Sequence, residues 1–78
     1  MPRVLLIEDD LGVRDALKLG LELEGYQVLE AGNGAEGLRQ LHQQPDLVIC
    51  DVLLPGGDGF GVVREIRQVS GVPVLMLT

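Results

Sequence analysis

The sequence predicts an α/β fold built on a parallel sheet with helices on both faces. Short apolar blocks alternate with amphipathic segments of about 10 to 15 residues, as in chains whose parallel strands are joined by crossover helices. The blocks are continuous rather than alternating, which is typical of strands buried on both faces, and two of them end abruptly in acidic residues. The expected element order is βαβαβαβ.

The composition excludes several classes of protein. With 78 residues, 46% of them apolar, the chain can form one small domain with a buried core. Its net charge of −6 disfavours direct binding to nucleic acid or to an anionic membrane surface. A single cysteine, Cys50, can form neither an internal disulfide nor a cysteine-based zinc site, so the expected compartment is the cytoplasm. The apolar runs are far shorter than the roughly 20 residues of a membrane helix.

The first strand and the first helix follow from the pattern near the amino terminus. Residues 4–7 form an apolar block that ends at Glu8, too early for a secretory signal peptide. Asp10 can cap a helix over about residues 11–24, and Gly25 ends it. The residues expected to face the sheet from this helix are Val13, Ala16, Leu17, Gly20 and Leu21.

The middle of the chain repeats this arrangement of strand and helix. Residues 26–31 are expected to form the second strand, and Asn33 with Glu36 resembles a capping box that opens the second helix. Residues 47–50 form a third apolar block, and Asp51 ends that block much as an acidic residue ended the first. The second half of the predicted sheet therefore begins with another buried strand.

A third helix and a fourth strand complete the predicted pattern. A glycine-rich turn precedes the helix, which Asp58 is expected to cap. The helix stops at Ser70, and residues 74–77 form the last apolar block, a strand. The apolar positions that mark the helix are Phe60, Val62, Val63, Ile66 and Val69.

Acidic residues stand at the carboxyl ends of the first and third strands. In open parallel sheets the functional crevice lies at this end of the strands. If these two strands are neighbours, Glu8 and Asp9 converge with Asp51, although clustered like charges oppose one another's ionisation. A bound divalent cation relieves this crowding, and hard oxygen ligands favour Mg²⁺ over zinc. Helix capping fully explains Asp10, which we do not assign to this site.

Three stretches of the chain resemble the receiver domain of bacterial response regulators, the phosphoacceptor module of two-component signalling. They are residues 4–10 (VLLIEDD), 45–59 (PDLVICDVLLPGGDG) and 72–78 (VPVLMLT). The LPGGDG run is most similar to receivers joined to winged-helix DNA-binding domains. The resemblance implies a flavodoxin-like sheet with the strand order 2-1-3-4. It covers the whole chain, residues 1–78, but only about the first two-thirds of the family's domain.

The resemblance also implies roles for particular residues. Asp51 would accept a phosphoryl group from a sensor histidine kinase. Glu8 and Asp9 would hold Mg²⁺, directly or through water, and one oxygen of Asp51 and the backbone carbonyl of Leu53 would complete the protein ligands. Thr78 would donate its hydroxyl to a phosphoryl oxygen and report phosphorylation to the neighbouring surface. The chain would act as a switch whose output, transcriptional control, lies outside it, and it would catalyse at most its own phosphorylation and dephosphorylation.

Two departures from the family pattern leave a second interpretation open. The family's lysine, which pairs with the phosphoryl group, is absent, and Lys18 on the first helix is a poor substitute. The family's last helix is also absent, so apolar side chains of the third and fourth strands would meet water and the fourth strand would be an unpaired edge. We therefore expect either a homo-oligomer or a piece of a longer polypeptide. The rival function is a phosphorylation-impaired module that associates through this edge.

Another rival is a phosphatase of the haloacid dehalogenase type, which also uses an Asp at a strand end. That family requires a second Asp two residues later, and Leu53 occupies this position. A structural alternative for Asp51 is to cap the turn that follows its strand.

Overall fold

The computed structural model describes residues 1–54 and 57–77, with residues 57 and 58 described by their backbone alone. Its strands are β1 Arg3–Ile7, β2 Gln27–Ala31, β3 Leu47–Asp51, β4 Leu53–Leu54, β5 Gly57–Asp58 and β6 Val74–Leu77. Its helices are α1 Leu11–Leu23, α2 Gly34–Gln40 and α3 Gly59–Val69, and a short 3₁₀ turn, Leu41–Gln43, follows α2. The predicted α/β class and order are confirmed.

The main sheet is parallel, with the strand order β2-β1-β3-β6. Because β4 and β5 lie outside it, this order is the expected 2-1-3-4 for the four long strands. The two short strands pair with each other in an antiparallel hairpin, Leu53 opposite Asp58 and Leu54 opposite Gly57. The sequence predicted only a turn here, since a two-residue strand is too short to show any periodicity.

One face of the sheet packs against α2 and α3 and contains the larger core. Helix α2 is capped as predicted, with the side chain of Asn33 accepting a hydrogen bond from the Glu36 amide at 2.8 Å. The Glu36 carboxylate pairs with Arg39, as expected of a side chain exposed at the start of a helix. The buried members of this core are Leu5, Ile7, Ala31, Val48, Cys50, Leu54 and Ile66.

Helix α3 forms as predicted, and its apolar residues differ in their burial. Ile66 is fully buried, and Val62 packs against the core. Phe60 and Val69, which also mark the helix, are 52% and 75% exposed and lie near its two ends.

Helix α1 lies on the opposite face of the sheet. Asp10 caps it as predicted, accepting a hydrogen bond from the amide of Val13 at 3.0 Å, and Gly25 follows its end with a φ of 93°. Only Leu17 and Leu21 pack against the smaller core of this face, which contains Val4, Leu6 and Ile49. Helix α1 has no buried residue.

The predicted inward face of α1 was therefore too wide. Val13 is 47% exposed, and Ala16 and Gly20 are exposed as well. A helix that meets the sheet along a single line covers only the side chains on that line, and no second helix flanks α1 within residues 1–54 and 57–77.

The same face is open beside β6. Leu75 pairs in register with Ile49 and is 52% exposed, whereas Ile49 is 7% exposed because α1 covers it. The expectation that strands three and four meet water is thus correct for Leu75 and wrong for Ile49. In the part of the chain that the structure describes, β6 is an edge strand. The helices there are each too short or too polar to span a bilayer.

Replacement of a helical glycine by alanine is expected to change the free energy of unfolding in opposite directions at two positions. A Cβ at Gly37 would overlap the buried side chain of Ile7, whereas a Cβ at Gly20 would meet nothing within 4 Å. We expect Gly37→Ala to lower the free energy of unfolding by about 1–3 kcal/mol through overpacking. Gly20→Ala should raise it by roughly 0.5–1 kcal/mol, since alanine restricts the unfolded chain.

Urea unfolding followed by circular dichroism measures both changes. Equal effects of the two substitutions would contradict the close packing of α2 on β1.

Candidate functional site

Three acidic side chains converge at the carboxyl end of the sheet. Strands β1 and β3 are neighbours, with Ile7 in register with Cys50, so the residues that follow these partners emerge side by side. One carboxylate oxygen from each of Glu8, Asp9 and Asp51 lies within 4.8 Å of the others. The predicted convergence is confirmed.

Glu8 is the most buried member of this cluster, with 6% of its surface exposed. Its amide donates to the carbonyl of Ala31 at 3.0 Å, and its Oε1 accepts from the amide of Asp10 at 3.3 Å. Burial, followed by the hydrogen bond and the negative charge of Asp51, raises the pKa of Glu8 from 4.5 to about 7. Glu8 is therefore poised to hold a proton or a cation near neutral pH.

Asp51 ends β3 and is half-buried. Its Oδ1 accepts a hydrogen bond from the amide of Leu53 at 3.1 Å, which is the turn-capping contact that we considered as an alternative. A carboxylate can accept several hydrogen bonds on its two oxygens, so this contact orients Asp51 without occupying it. Capping the turn and facing the cluster are compatible.

A close backbone approach holds the segment that follows Asp51. The amide of Gly59, the first residue of α3, donates to the carbonyl of Val52 at 2.7 Å. A Cβ at Gly59 would overlap the carbonyl oxygen of Asp51, so only glycine fits there without displacing the end of β3. In the sequence this glycine is indistinguishable from the other glycines of the predicted turn, because nothing local marks such a contact.

Arg14 also contacts the site, which the sequence analysis missed. Its Nη1 donates to the backbone carbonyl of Glu8 at 3.3 Å. Arg14 lies one helical turn after the capping residue Asp10. This spacing of a cation from the helix cap is the one local signal that could have indicated a contact between Arg14 and the site.

The remaining predicted residues divide into those that the structure describes and those that it does not. Leu53 lies two residues after Asp51 with its side chain 78% exposed, and the role of its carbonyl stays a prediction. Thr78 and the side chain of Asp58 lie outside the described residues.

Lys18 pairs with Glu30 at 3.1 Å, which raises the pKa of the lysine. Lys18 therefore has its own partner on β2, in keeping with its being a poor substitute for a lysine at the site.

Cys50 lies directly before Asp51 but is not part of the reactive cluster. Its side chain is fully buried, and burial raises the pKa of its thiol to about 11, with smaller contributions from Asp51 and Glu8. A protonated, buried thiol is a core residue, as the sequence predicted.

The donor set of the cluster fits a small, hard divalent cation. All three groups are carboxylates, which are typical Mg²⁺ ligands, whereas zinc prefers nitrogen and sulfur. Burial and the neighbouring carboxylate of Asp51 both raise the pKa of Glu8, and a divalent cation would offset the negative charge of the cluster.

Comparisons with known proteins agree with this geometry. The chain is 49% identical over its whole length to the transcriptional regulatory protein AfsQ1 of Streptomyces coelicolor, and it spans 35% of that protein. Its fold superimposes with a TM-score of 0.94 on the response regulator protein TrrA of Thermotoga maritima, solved in complex with Mg²⁺-BeF, at 38% identity. The alignment covers 100% of this chain and 70% of TrrA.

A second structure contains TrrA in complex with the histidine kinase ThkA. This chain matches it with a TM-score of 0.92 and 38% identity, and the alignment covers 100% of this chain and 69% of the matched chain. The family model described as the response regulator receiver domain matches residues 4–78. With strands, acidic cluster and sequence in agreement, the chain belongs to the family of response regulator receiver domains.

Proposed function

We propose that this chain is the phosphoacceptor module of a two-component system, with Asp51 as the residue that is phosphorylated. The observation that carries this proposal is the clustering of one oxygen each from Glu8, Asp9 and Asp51 within 4.8 Å at the carboxyl end of the sheet. The similarity to TrrA, which was solved with the histidine kinase ThkA, supports a sensor histidine kinase as the partner.

In the proposed reaction an oxygen of Asp51 forms a bond to phosphorus while the bond from phosphorus to the kinase histidine nitrogen breaks. The electron pair of the broken bond stays on the histidine nitrogen. The hydrogen bond from the Leu53 amide to Oδ1 holds the carboxylate in one orientation during this attack. The product is an acyl phosphate on Asp51.

Glu8, Asp9, Asp51 and the backbone carbonyl of Leu53 would hold Mg²⁺. When bound, Mg²⁺ would offset the negative charge of the carboxylates and of the transferring phosphoryl group. Because burial raises the pKa of Glu8, its carboxyl group must lose a proton before it can act as a metal ligand. Proton and metal therefore compete at Glu8.

The output of the module would lie outside residues 1–78. AfsQ1 is a transcriptional regulatory protein, so transcriptional control is the proposed output, with Thr78 as the residue that senses the phosphoryl group. The net charge of −6 disfavours direct DNA binding by this segment. We propose the cytoplasm as its location and no catalysis beyond its own phosphorylation and dephosphorylation.

A second candidate function is association through the open face beside β6. Leu75 is 52% exposed on this face, and Leu77 lies on the same face of the edge strand. An apolar edge strand can pair with a second copy of the chain, which would cover both the backbone groups and the side chains. This homo-oligomer is compatible with phosphorylation of Asp51.

Phosphorylation of Asp51 is tested with acetyl phosphate and Mg²⁺. The wild-type chain should gain the mass of one phosphoryl group, and the adduct should be stable in acid and lost in base. Asp51→Asn should abolish the gain, while Asp15→Asn, at an exposed acid of α1, should leave it unchanged. Intact-mass spectrometry measures all three, and an adduct of equal yield in Asp51→Asn would contradict the proposal.

The raised pKa of Glu8 predicts a pH-dependent stability in the absence of metal. Folding raises this pKa from 4.5 to about 7, so the folded chain keeps a proton that the unfolded chain has released. The stabilising contribution is complete below about pH 4.5 and is lost as the pH rises through 7. Above pH 7 the ionised Glu8 destabilises the fold relative to a neutral side chain.

The free energy of unfolding of Glu8→Gln should therefore increase relative to that of the wild type by roughly 1–3 kcal/mol as the pH rises across this interval. Urea unfolding in EDTA measures the difference, and saturating Mg²⁺ should reduce it by stabilising the wild type. A difference that does not change with pH would show that Glu8 is not held in this environment.

Association through the open face predicts a concentration-dependent mass. If a second copy covers Leu75, Leu75→Lys should shift the chain to a monomer, since a charge would be buried in the interface. Leu19→Lys, at a leucine that is 59% exposed on α1, is the matched control and should leave the mass unchanged. Size-exclusion chromatography with light scattering decides, and a wild-type monomer at every concentration would refute the association.

A further inference from the structure

We propose that Arg14 is a positioning residue for the acidic cluster, acting through the peptide that joins Glu8 to Asp9. Nη1 of Arg14 donates to the carbonyl oxygen of Glu8 at 3.3 Å. This carbonyl belongs to the peptide plane shared by two members of the cluster, so its orientation sets where both side chains begin. The inference rests on the proposed function, because it concerns how that site receives its cation.

The Glu8 peptide lies at a point where the sheet provides little support. Strand β1 ends at Ile7, and its last Cα partners are Ala31 on β2 and Cys50 on β3. The amide of Glu8 still donates to Ala31 at 3.0 Å. Its carbonyl lies beyond the paired residues, and Arg14 provides the contact there. The first acidic residue is thus held by the sheet on one side and by α1 on the other.

Arg14 is itself held in place by Glu30 on β2. Its Nε lies 3.4 Å from Oε1 of Glu30, while Nζ of Lys18 lies 3.1 Å from Oε2. The Nε atom is buried and makes no hydrogen bond within the described residues, so its pairing with Glu30 is electrostatic. Only 20% of the Arg14 side chain is exposed, which favours one orientation of the guanidinium.

Gly32 leaves the space that this orientation needs. A Cβ at Gly32 would stand 3.0 Å from Nη1 of Arg14, the same nitrogen that contacts Glu8. An alanine there would require the guanidinium to move by a few tenths of an ångström without removing any charge. The chain therefore offers a second way to disturb the same contact.

The sign of the effect separates positioning from simple electrostatics. A positive charge near a cation site repels the cation, so deleting Arg14 would tighten Mg²⁺ binding if only its charge mattered. If Arg14 positions the Glu8 peptide, deleting it weakens Mg²⁺ binding instead, since loss of a group that orients a ligand typically lowers metal affinity about tenfold or more.

The test is titration of the 78-residue chain with Mg²⁺ by isothermal titration calorimetry at pH 8, in four forms: wild type, Arg14→Ala, Gly32→Ala and Lys18→Ala. We expect Arg14→Ala and Gly32→Ala to raise the Mg²⁺ dissociation constant about tenfold. Lys18→Ala removes the other cation paired with Glu30 but does not touch Glu8, so its dissociation constant should be unchanged or slightly lower. Thermal melts of each variant separate loss of the fold from loss of the site.

Each outcome decides between the alternatives. Weaker binding in both Arg14→Ala and Gly32→Ala, with Lys18→Ala like the wild type, supports the positioning role. Equal or tighter binding in Arg14→Ala, or equal weakening in Lys18→Ala, overturns it while leaving the proposed function standing. A wild-type chain that binds no Mg²⁺ overturns the proposed function and this inference together. If Arg14→Ala does not fold, Gly32→Ala decides in its place.

Discussion

The mutual repulsion of three carboxylates at one sheet edge is the constraint on which the rest of this molecule depends. Burial of Glu8, followed by the hydrogen bond and the negative charge of Asp51, raises the pKa of Glu8 to about 7 within this cluster. Such an arrangement costs stability unless a proton or cation compensates it. The fold maintains the arrangement through backbone contacts, and the clustered carboxylates would be compensated by a hard cation, as the proposed function requires.

Those backbone contacts come from several elements. Strand pairing between β1 and β3 brings the acidic ends together, Gly59 allows α3 to pack directly against the end of β3, and the Leu53 amide orients Asp51. Arg14 adds a contact from α1 to the Glu8 carbonyl. None of these contacts uses a carboxylate oxygen of Glu8 or Asp9, so backbone groups support the site while the carboxylates face one another.

The two faces of the sheet differ in how completely helices cover them. The face beneath α2 and α3 buries a continuous cluster that includes Leu5, Ile7 and Ile66, whereas the α1 face leaves Leu75 half exposed. The superposition of the two structures covers 100% of this chain but only 70% of TrrA. The acidic site lies at the carboxyl ends of β1 and β3, and Asp51 is in register with Leu77 of the edge strand.

Local patterns predicted the four strands of the main sheet, the helix cap at Asp10 and the acidic residues at two strand ends, but not the short β4–β5 hairpin, because periodicity and capping chemistry depend on residues close in the chain. The sequence did not show that the apolar contacts of α1 with the smaller core come from Leu17 and Leu21, or that Arg14 reaches Glu8. The strand order came from resemblance to a family, not from the pattern. These features depend on which distant segments pack together, and only the tertiary structure decides that.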